Sequence, residues 1–218
     1  MHVAVIGAHG NIGQLLVPIL SEQGHRVRAI VRDPGQADRM RSLGGEPLVV
    51  DLEGDVAGSL DDCDAAIFTA GSGGHTGADK TLLVDLWGAV KMIRAAESAR
   101  VGQFVMVSAI GAMDPDRGRE SIRHYLVAKR MADDELERSP LVHTIVRPGR
   151  LEDGPGTGRI RAGADIGYGN ISRQDVAATL AACLGEPQTY RQTFCILEGD
   201  NPIPDALSTL AAEGRASG

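Results

Sequence analysis

Short runs of apolar residues alternate, up to residue 149, with segments in which apolar residues recur every three or four positions. The runs cover residues 3–6, 27–31, 47–50, 65–69, 104–108 and 142–146. Runs of this length between helical segments are typical of strands that are buried on both faces of a parallel sheet. The alternation therefore predicts a doubly wound α/β fold.

The segments between these runs predict helices over residues 15–20, 36–43, 79–100 and 120–138. In the longest of them, four apolar side chains are spaced for one buried face: Leu82, Leu86, Val90 and Ile93. A side chain every three or four residues is the period of an amphipathic helix. The apolar pattern of residues 56–60 is weaker and is compatible with either a short helix or a loop.

The pattern changes after Gly149. The sequence predicts a loop, a small extended piece, a helix, a strand and a short helix over residues 153–158, 160–168, 172–184, 193–197 and 204–212. Ser172 is the expected N-cap of the first of these helices, with Asp175 at the capping-box position. This is too little chain for an independent domain, so we predict one domain over residues 1–218, with a core at 1–149 and an extension at 150–218.

Length, net charge and cysteine spacing limit the partners and the cellular compartment that we expect for this protein. A length of 218 residues fits one α/β domain, and a net charge of −7 argues against nucleic acid or an anionic membrane as a partner. The first strand begins at residue 2 or 3, which leaves no room for a signal peptide, so we expect a cytoplasmic protein. Three widely spaced cysteines (Cys63, Cys183 and Cys195) lack metal-ligand spacing and are expected to be buried free thiols.

Three glycines separate the first strand from the first helix, at the spacing G-x-x-G-x-x-G. Gly7 lets the backbone turn out of the strand, Gly10 leaves room for a pyrophosphate, and Gly13 lets the helix pack against the strand. The helix N-terminus presents unpaired N–H groups to the phosphates. The stretch therefore predicts a dinucleotide site formed by Gly7, His9, Gly10, Asn11, Ile12 and Gly13, and the missing G-K-[ST] excludes a P-loop.

The residues after the second strand bear on the choice between NAD and NADP. Arg32 stands where an acidic residue would hold the ribose 2′-hydroxyl of NAD, and a guanidinium there suits the 2′-phosphate of NADP. Asp33 keeps NAD possible, because a shift of one residue would put a carboxylate at the ribose. Asp51 and Leu52, at the end of the third strand, are candidates to border the adenine, although Asp51 equally suits a helix cap.

A second group of polar residues lies at the end of the fifth strand and on the helix after it. Ser108 ends the strand, and Tyr125 and Lys129 stand four residues apart on one face of the predicted helix. The chain has only three tyrosines and three lysines, so this pairing is rare by chance. A nearby ammonium is expected to lower the pKa of the Tyr125 phenol and ease proton exchange.

These motifs together resemble the short-chain dehydrogenase/reductase superfamily, in particular its extended and atypical members. The resemblance covers residues 7–149 and rests on the glycine motif, Thr69-Ala70-Gly71, residues 85–89, Val107-Ser108, Tyr125-x-x-x-Lys129 and Arg147-Pro148-Gly149. It implies an NAD(P)-binding Rossmann fold in which Tyr125 is the acid/base, Ser108 hydrogen-bonds the substrate and Lys129 holds the nicotinamide ribose. It also implies cofactor contacts at Ala70, Gly71 and Pro148. Asp85 departs from the pattern, since many members have an asparagine there.

Two functions remain open at this stage. The first is an NADP-dependent oxidoreductase that acts on a small carbonyl, quinone-like or sugar-like substrate, with the extension on the substrate side. The second is a non-catalytic NADP-binding sensor, although a sensor has no need of the Ser-Tyr-Lys set. A nucleotide-sugar epimerase would require a larger extension. His75, in the glycine-rich loop, is a weak candidate for substrate contact, and we expect no metal and either a monomer or a homodimer.

Overall fold

A computed structural model describes residues 1–73 and 76–210 of the chain. The strands are β1 (His2–Ile6), β2 (Arg26–Val31), β3 (Glu46–Val49), β4 (Ala65–Phe68), β5 (Gln103–Val107), β6 (His143–Pro148), β7 (Arg150–Glu152), β8 (Arg159–Gly163), β9 (Asn170–Ser172), β10 (Gln192–Glu198) and β11 (Asn201–Pro202). Each of the six predicted core strands is therefore present.

The α-helices are α1 (Gly13–Glu22), α2 (Ala37–Ser42), α3 (Ala78–Lys80), α4 (Ala89–Ala99), α5 (Arg123–Arg138), α6 (Arg173–Ala182) and α7 (Ile203–Ser208). A π-helical segment, Thr81–Gly88, joins α3 to α4 in one continuous helix. Short 3₁₀ turns precede α2 and α5. Within the described ranges, no helix is long and apolar enough to cross a membrane.

Nine strands form one sheet in the order β11-β8-β10-β6-β5-β4-β1-β2-β3. The strands from β10 to β3 run parallel, and β8 and β11 are antiparallel to their neighbours. The chain moves outward from β1 in one direction and then from β4 in the other. In such a sheet a crevice opens beyond the carboxyl ends of the strands where the direction changes, here between β1 and β4. The predicted doubly wound fold is confirmed.

Apolar layers cover both faces of the sheet. Alternate side chains of a strand point to opposite faces, so Val3 and Val5 pack on the side of α1 and α6, whereas Ala4 and Ile6 pack on the side of α4 and α5. The first layer includes Leu16 of α1, and the second includes Met92 of α4 and Leu136 of α5. The sheet is therefore covered on both faces, as the sequence predicted.

The C-terminal extension belongs to the same sheet. Strand β10 pairs in parallel with β6, and α6 packs against α1. The extended piece predicted at 160–168 is the shorter strand β8, and the helix predicted at 204–212 is α7, with residues 211–212 outside the described part. A separate two-stranded sheet, β7-β9, has no counterpart in the sequence prediction. That the extension caps a substrate stays a prediction.

The buried face of the long helix differs from the predicted one. Val90 and Ile93 are buried as expected, but the side chain of Leu82 is 55% exposed. The reason is the segment Thr81–Gly88, because a π-helix makes hydrogen bonds five residues apart and so turns each side chain less far than the α-helical period assumes. As a result Thr81 and Asp85 point inward instead. The prediction of a buried Leu82 was wrong.

The start of α6 ties the extension together. Ser172 is the N-cap, as predicted, and its hydroxyl accepts a hydrogen bond from the N–H of Asp175 at 2.9 Å. The buried carboxylate of Asp175 in turn accepts from the N–H groups of Thr157 and Gly158, at 3.0 and 2.8 Å. One carboxylate thus connects the helix to the loop that leads into β8.

We predict that Asp175→Ala lowers the free energy of unfolding by about 3 kcal/mol, since two backbone N–H groups and the N-cap Ser172 lose a buried, charged partner. Urea denaturation monitored by circular dichroism measures the change. The control is Asp153→Ala, because Asp153 is exposed and pairs with Arg173 on the surface of the same region. We expect that variant to lose less than about 1 kcal/mol. Equal losses in the two variants would contradict the assignment.

Candidate functional site

The turn after β1 lies directly against the loop after β4. Gly7 has a φ of +80°, and a Cβ placed on it would come within 2.6 Å of the Cα of Ala70. No other residue type fits that position, because both the left-handed backbone and the contact exclude a side chain. The turning role predicted for Gly7 is confirmed, and Ala70 and Gly71 are brought next to the glycine motif.

The other two glycines have different surroundings. A Cβ on Gly13 would lie 2.6 Å from the carbonyl oxygens of both Gly7 and Ala8, so this glycine lets α1 pack onto the turn. Gly10 is exposed, and a Cβ there would meet only the oxygen of Gly7, at 3.2 Å. Gly13 is therefore required by the fold, whereas Gly10 leaves an open surface above the turn.

The N-terminus of α1 offers hydrogen-bond donors at this surface. Its N-cap is Ile12, which makes no side-chain capping bond. In the part of the chain that the structure describes, the N–H groups of Asn11 and Ile12 have no acceptor. Free N–H groups and the positive end of a helix dipole form a site for anions such as phosphates.

Two residues that the sequence did not indicate support the same turn. The side-chain amide of Gln14 donates to the carbonyl oxygen of His9 at 2.9 Å, and its oxygen accepts from the Nε of Arg39 at 3.0 Å. Gln14 thereby brings the guanidinium of Arg39, on α2, to the rim of the glycine turn. No motif could have identified this residue, because α2 reaches the turn only in the folded chain.

Arg32 and Asp33 differ in whether their side chains are already hydrogen-bonded. The Oδ1 of Asp33 accepts from the N–H of Gly35 at 2.7 Å and caps the 3₁₀ turn before α2. Arg32 is exposed, and its guanidinium has no hydrogen-bond partner among the described residues. Of the two candidates for the ribose, the carboxylate is thus already engaged and the guanidinium is available.

The two candidates to border the adenine, Asp51 and Leu52, follow β3 and differ in their exposure. Asp51 is exposed, and its Oδ1 accepts from the N–H of Glu53 at 2.9 Å, so it caps a local turn. Leu52 is only 7% exposed and packs against Gly88 of the π-helical segment. Its side chain belongs mainly to the core, and its contact with an adenine stays a prediction. Pro148 is buried within β6.

Tyr125 and Lys129 lie on one face of α5, as their spacing predicted, and Asp133 continues that face by one more turn. The Nζ of Lys129 donates to the carbonyl oxygen of Val107 at 2.6 Å and lies 5.9 Å from the centre of the Phe68 ring. Val107 ends β5 and Phe68 ends β4. The ammonium is therefore buried beneath the carboxyl ends of two central strands.

Ser108 is directed toward a buried carboxylate. Its Oγ donates to the Oδ2 of Asp133 at 2.8 Å, and the Nε and Nη2 of Arg147 reach the same oxygen at 2.9 Å each. Ser108 is 3% exposed and Asp133 is fully buried. The structure thus brings Ser108 to the helix of Lys129, but as the partner of Asp133. Asp133 was not predicted, and Arg147 was noted only as part of the Arg147-Pro148-Gly149 motif, without a role.

The pKa of Tyr125 shifts in the direction opposite to the expected one. Burial raises the pKa of its phenol, and the carboxylates of Asp85 and Asp133 raise it further. Burial lowers the pKa of Lys129, although the same two carboxylates oppose that change. The predicted lowering of the Tyr125 pKa by an ammonium was wrong, because two carboxylates and burial favour the neutral phenol. At neutral pH the group is a proton donor.

The histidines contribute little to the described site. His143 is buried in β6 and His124 is exposed at the start of α5, whereas His75 lies outside the described residues. Over residues 1–73 and 76–210, no group of three His, Cys, Asp or Glu side chains is placed to hold a metal ion. The three cysteine thiols are buried, as predicted.

Comparisons with known proteins agree with this geometry. A family model described as NAD(P)H-binding matches residues 7–187. A Bacillus subtilis protein named an uncharacterized sugar epimerase is 47% identical over 96% of this chain and 100% of its own length. A Bacillus halodurans structure described as an NAD-dependent epimerase/dehydratase is 44% identical, with a TM-score of 0.93 over 96% of this chain and 100% of that one.

A second solved structure is more distant. An oxidoreductase of Lactococcus lactis is 28% identical, with a TM-score of 0.87 over 97% of each chain. The family model covers most of the chain, and it begins at Gly7, the first glycine of the turn described above. The chain therefore belongs to the NAD(P)H-binding Rossmann family, whose members are of the oxidoreductase and epimerase type.

Proposed function

We propose that this protein is an NADP-dependent oxidoreductase of the short-chain dehydrogenase/reductase type that reduces a small carbonyl or quinone-like substrate. The observation that carries the proposal is that Tyr125 lies one helical turn from Lys129, whose buried ammonium lies at the ends of β4 and β5. A proton donor at the carboxyl edge of a dinucleotide-binding sheet is what carbonyl reduction requires.

The residues around the glycine turn fit a dinucleotide. The free N–H groups of Asn11 and Ile12 would hold the pyrophosphate, and the guanidinium of Arg32 would pair with the 2′-phosphate. Lys129 would hold the nicotinamide ribose. The bound nicotinamide would supply the hydride, which the chain itself cannot provide. Ala70, Gly71 and Pro148 stand at the neighbouring strand ends and would border that end of the cofactor.

Tyr125 and Ser108 would then take different roles toward the substrate. Tyr125 donates its proton to the carbonyl oxygen as negative charge develops there. Ser108 already gives its proton to Asp133, so it can offer only a lone pair to a substrate group. The proton therefore comes from Tyr125, and the raised pKa of that residue keeps its phenol protonated at neutral pH.

Sugar epimerisation is a second candidate, because the Bacillus subtilis relative carries that name. An epimerase removes a hydride and returns it to the same substrate, so it consumes no cofactor. Residues 150–218 form a small extension for a nucleotide-sugar, which favours the reductase. A sensor that binds NADP without turnover is the remaining alternative.

The proposed function also implies which partners the protein has. A net charge of −7 suits a small-molecule enzyme better than a nucleic-acid or membrane-surface protein. We propose that it works in the cytoplasm as a monomer or a homodimer. Size-exclusion chromatography with light scattering decides between the two oligomeric states.

We predict that Arg32→Ala raises the Kd for NADPH by about 10- to 100-fold and changes the Kd for NADH by less than about twofold, because one charge-assisted contact is lost. Isothermal titration calorimetry measures both constants. Arg41→Ala is the control, since Arg41 pairs with Asp38 on the exposed side of α2. Equal losses for the two cofactors would contradict the NADP assignment, and a loss for NADH alone would indicate Asp33.

We predict that Tyr125→Phe lowers the rate of carbonyl reduction by about 100-fold or more and leaves NADPH affinity nearly unchanged, because only the transferred proton is lost. Single-turnover oxidation of NADPH with a panel of carbonyls and quinones measures the rate. Tyr168→Phe is the control, since Tyr168 is 74% exposed.

Three outcomes of that panel would change the assignment. If Tyr125→Phe equals the wild type on its best substrate, Tyr125 is not the acid. If the wild type oxidises no NADPH but interconverts sugar epimers, the epimerase is correct. If it binds NADPH and does neither, the protein is a sensor.

A further inference from the structure

Two hydrogen bonds join the glycine turn after β1 to the end of β2. The N–H groups of Gly7 and Ala8 both donate to the carbonyl oxygen of Ile30, at 3.2 and 3.0 Å. Arg32 follows Ile30 by two residues along the chain. In sheets of this kind the adenosine ribose lies at this edge, and a residue near the end of the second strand contacts its 2′-position. A phosphate at the 2′-position would therefore lie near both the turn and Arg32.

Arg39 reaches the same turn from α2. Its Nε donates to the Oε1 of Gln14 at 3.0 Å, and the Nε2 of Gln14 donates to the carbonyl oxygen of His9 at 2.9 Å. His9 lies between Gly7 and Gly10, within the turn itself. A single amide side chain thus connects the guanidinium of Arg39 to the backbone of the glycine turn.

The contact with Gln14 leaves most of the binding capacity of Arg39 unused. It takes one of the five N–H groups of the guanidinium, and the amide is neutral, so the positive charge is not compensated. Among the residues that the structure describes, Arg39 forms no ion pair, and its two Nη atoms have no hydrogen-bond partner. Arg41, two residues further along α2, differs in this respect because its guanidinium pairs with Asp38 at 2.6 Å.

We propose that Arg39 is a second specificity-determining residue for the 2′-phosphate of NADP, and that Gln14 is the positioning residue that holds it at the glycine turn. The inference rests on the proposed function for its choice of NADP. A phosphate monoester carries nearly two negative charges at neutral pH, because its second pKa is about 6. Arg32 offsets one of these charges, and Arg39 offsets the other.

The chemistry of Gln14 suits this role. A carboxylate at position 14 would neutralise the guanidinium and would repel the carbonyl oxygen of His9, to which the amide donates. The amide instead binds Arg39 at Nε and leaves both Nη groups, whose N–H bonds match the oxygens of a phosphate. The pyrophosphate has separate donors in the N–H groups of Asn11 and Ile12. Arg39 therefore distinguishes a 2′-phosphate from the uncharged 2′-hydroxyl of NAD.

The first experiment measures nucleotide binding to the full-length protein without turnover. Isothermal titration calorimetry gives the Kd for adenosine 2′,5′-bisphosphate, which carries the 2′-phosphate, and for adenosine 5′-monophosphate, which lacks it. We expect Arg39→Ala to raise the first Kd by about 10-fold or more and the second by less than about twofold, since a charged contact to the 2′-phosphate alone is lost. Arg41→Ala is the matched control, because it removes the same charge from the same helix.

The second experiment separates a positioning role of Gln14 from a structural one. Gln14→Met keeps the length of the side chain but removes its hydrogen bonds, so we expect the Kd for the bisphosphate to rise about fivefold. In the Arg39→Ala background the same substitution has no guanidinium to release, and we expect it to change that Kd by less than about twofold. Equal losses in the two backgrounds would mean that Gln14 only supports the turn, which overturns its positioning role.

The role of Arg39 is overturned if Arg39→Ala weakens both nucleotides equally, as the loss of a 5′-phosphate contact would. It is also overturned if Arg41→Ala gives the same loss as Arg39→Ala, since the effect would then be one of net charge. A selective loss in Arg32→Ala but not in Arg39→Ala rejects Arg39 and leaves the NADP assignment intact.

Failure of the proposed function gives a different result. If the wild type binds the bisphosphate no more tightly than the monophosphate, the NADP assignment is wrong, and the role of Arg39 is wrong with it. If Arg39→Ala loses the bisphosphate selectively but the wild type reduces no carbonyl or quinone, the inference about Arg39 holds and the reductase assignment is wrong.

Discussion

The close approach of two loops at the switch point of the sheet is the constraint on which the site depends. The turn after β1 touches the loop after β4 at Gly7 and Ala70, with no space for a Cβ between them. That contact fixes the start of α1, where the N–H groups of Asn11 and Ile12 have no acceptor among the described residues. It also fixes Ala70 and Gly71, and through the adjacent Ser72 it reaches Asp85 in the π-helical segment. One van der Waals limit therefore positions both the glycine turn and the loop after β4 at the switch point of the sheet.

The second organising feature is a set of buried charges below the strand ends. Lys129, Asp133 and Arg147 are almost fully buried, and so is Asp85 in the π-helical segment. Such groups are tolerated when each has a partner, and removal of one partner leaves a charge uncompensated. Asp133 meets this condition through Arg147 and Ser108, although its Oδ1 has no partner in the described residues. Two carboxylates and two cations balance in charge, and burial together with the two carboxylates raises the pKa of the Tyr125 phenol.

Much of the fold follows from local pattern. A strand buried on both faces needs a short apolar run, and each of the six runs up to residue 149 is a strand. The glycine motif predicted the turn because only glycine tolerates the geometry at Gly7 and Gly13. The face shared by Tyr125 and Lys129 follows from the helical period. Leu82 shows the limit of this reasoning, because a period of 3.6 was assumed where the chain forms a π-helix.

The sequence by itself determined the strands, the glycine turn and the helix face that Tyr125 and Lys129 share, because each depends on neighbours within a few residues along the chain. Only the tertiary structure decided which way Ser108 points, that Arg39 reaches the turn through Gln14, and that the pKa of Tyr125 is raised. Burial and charge act through space, and Asp85 lies far from Tyr125 in the sequence. No local pattern reports a distance of that kind, so the ionisation state of the site is a property of the folded chain.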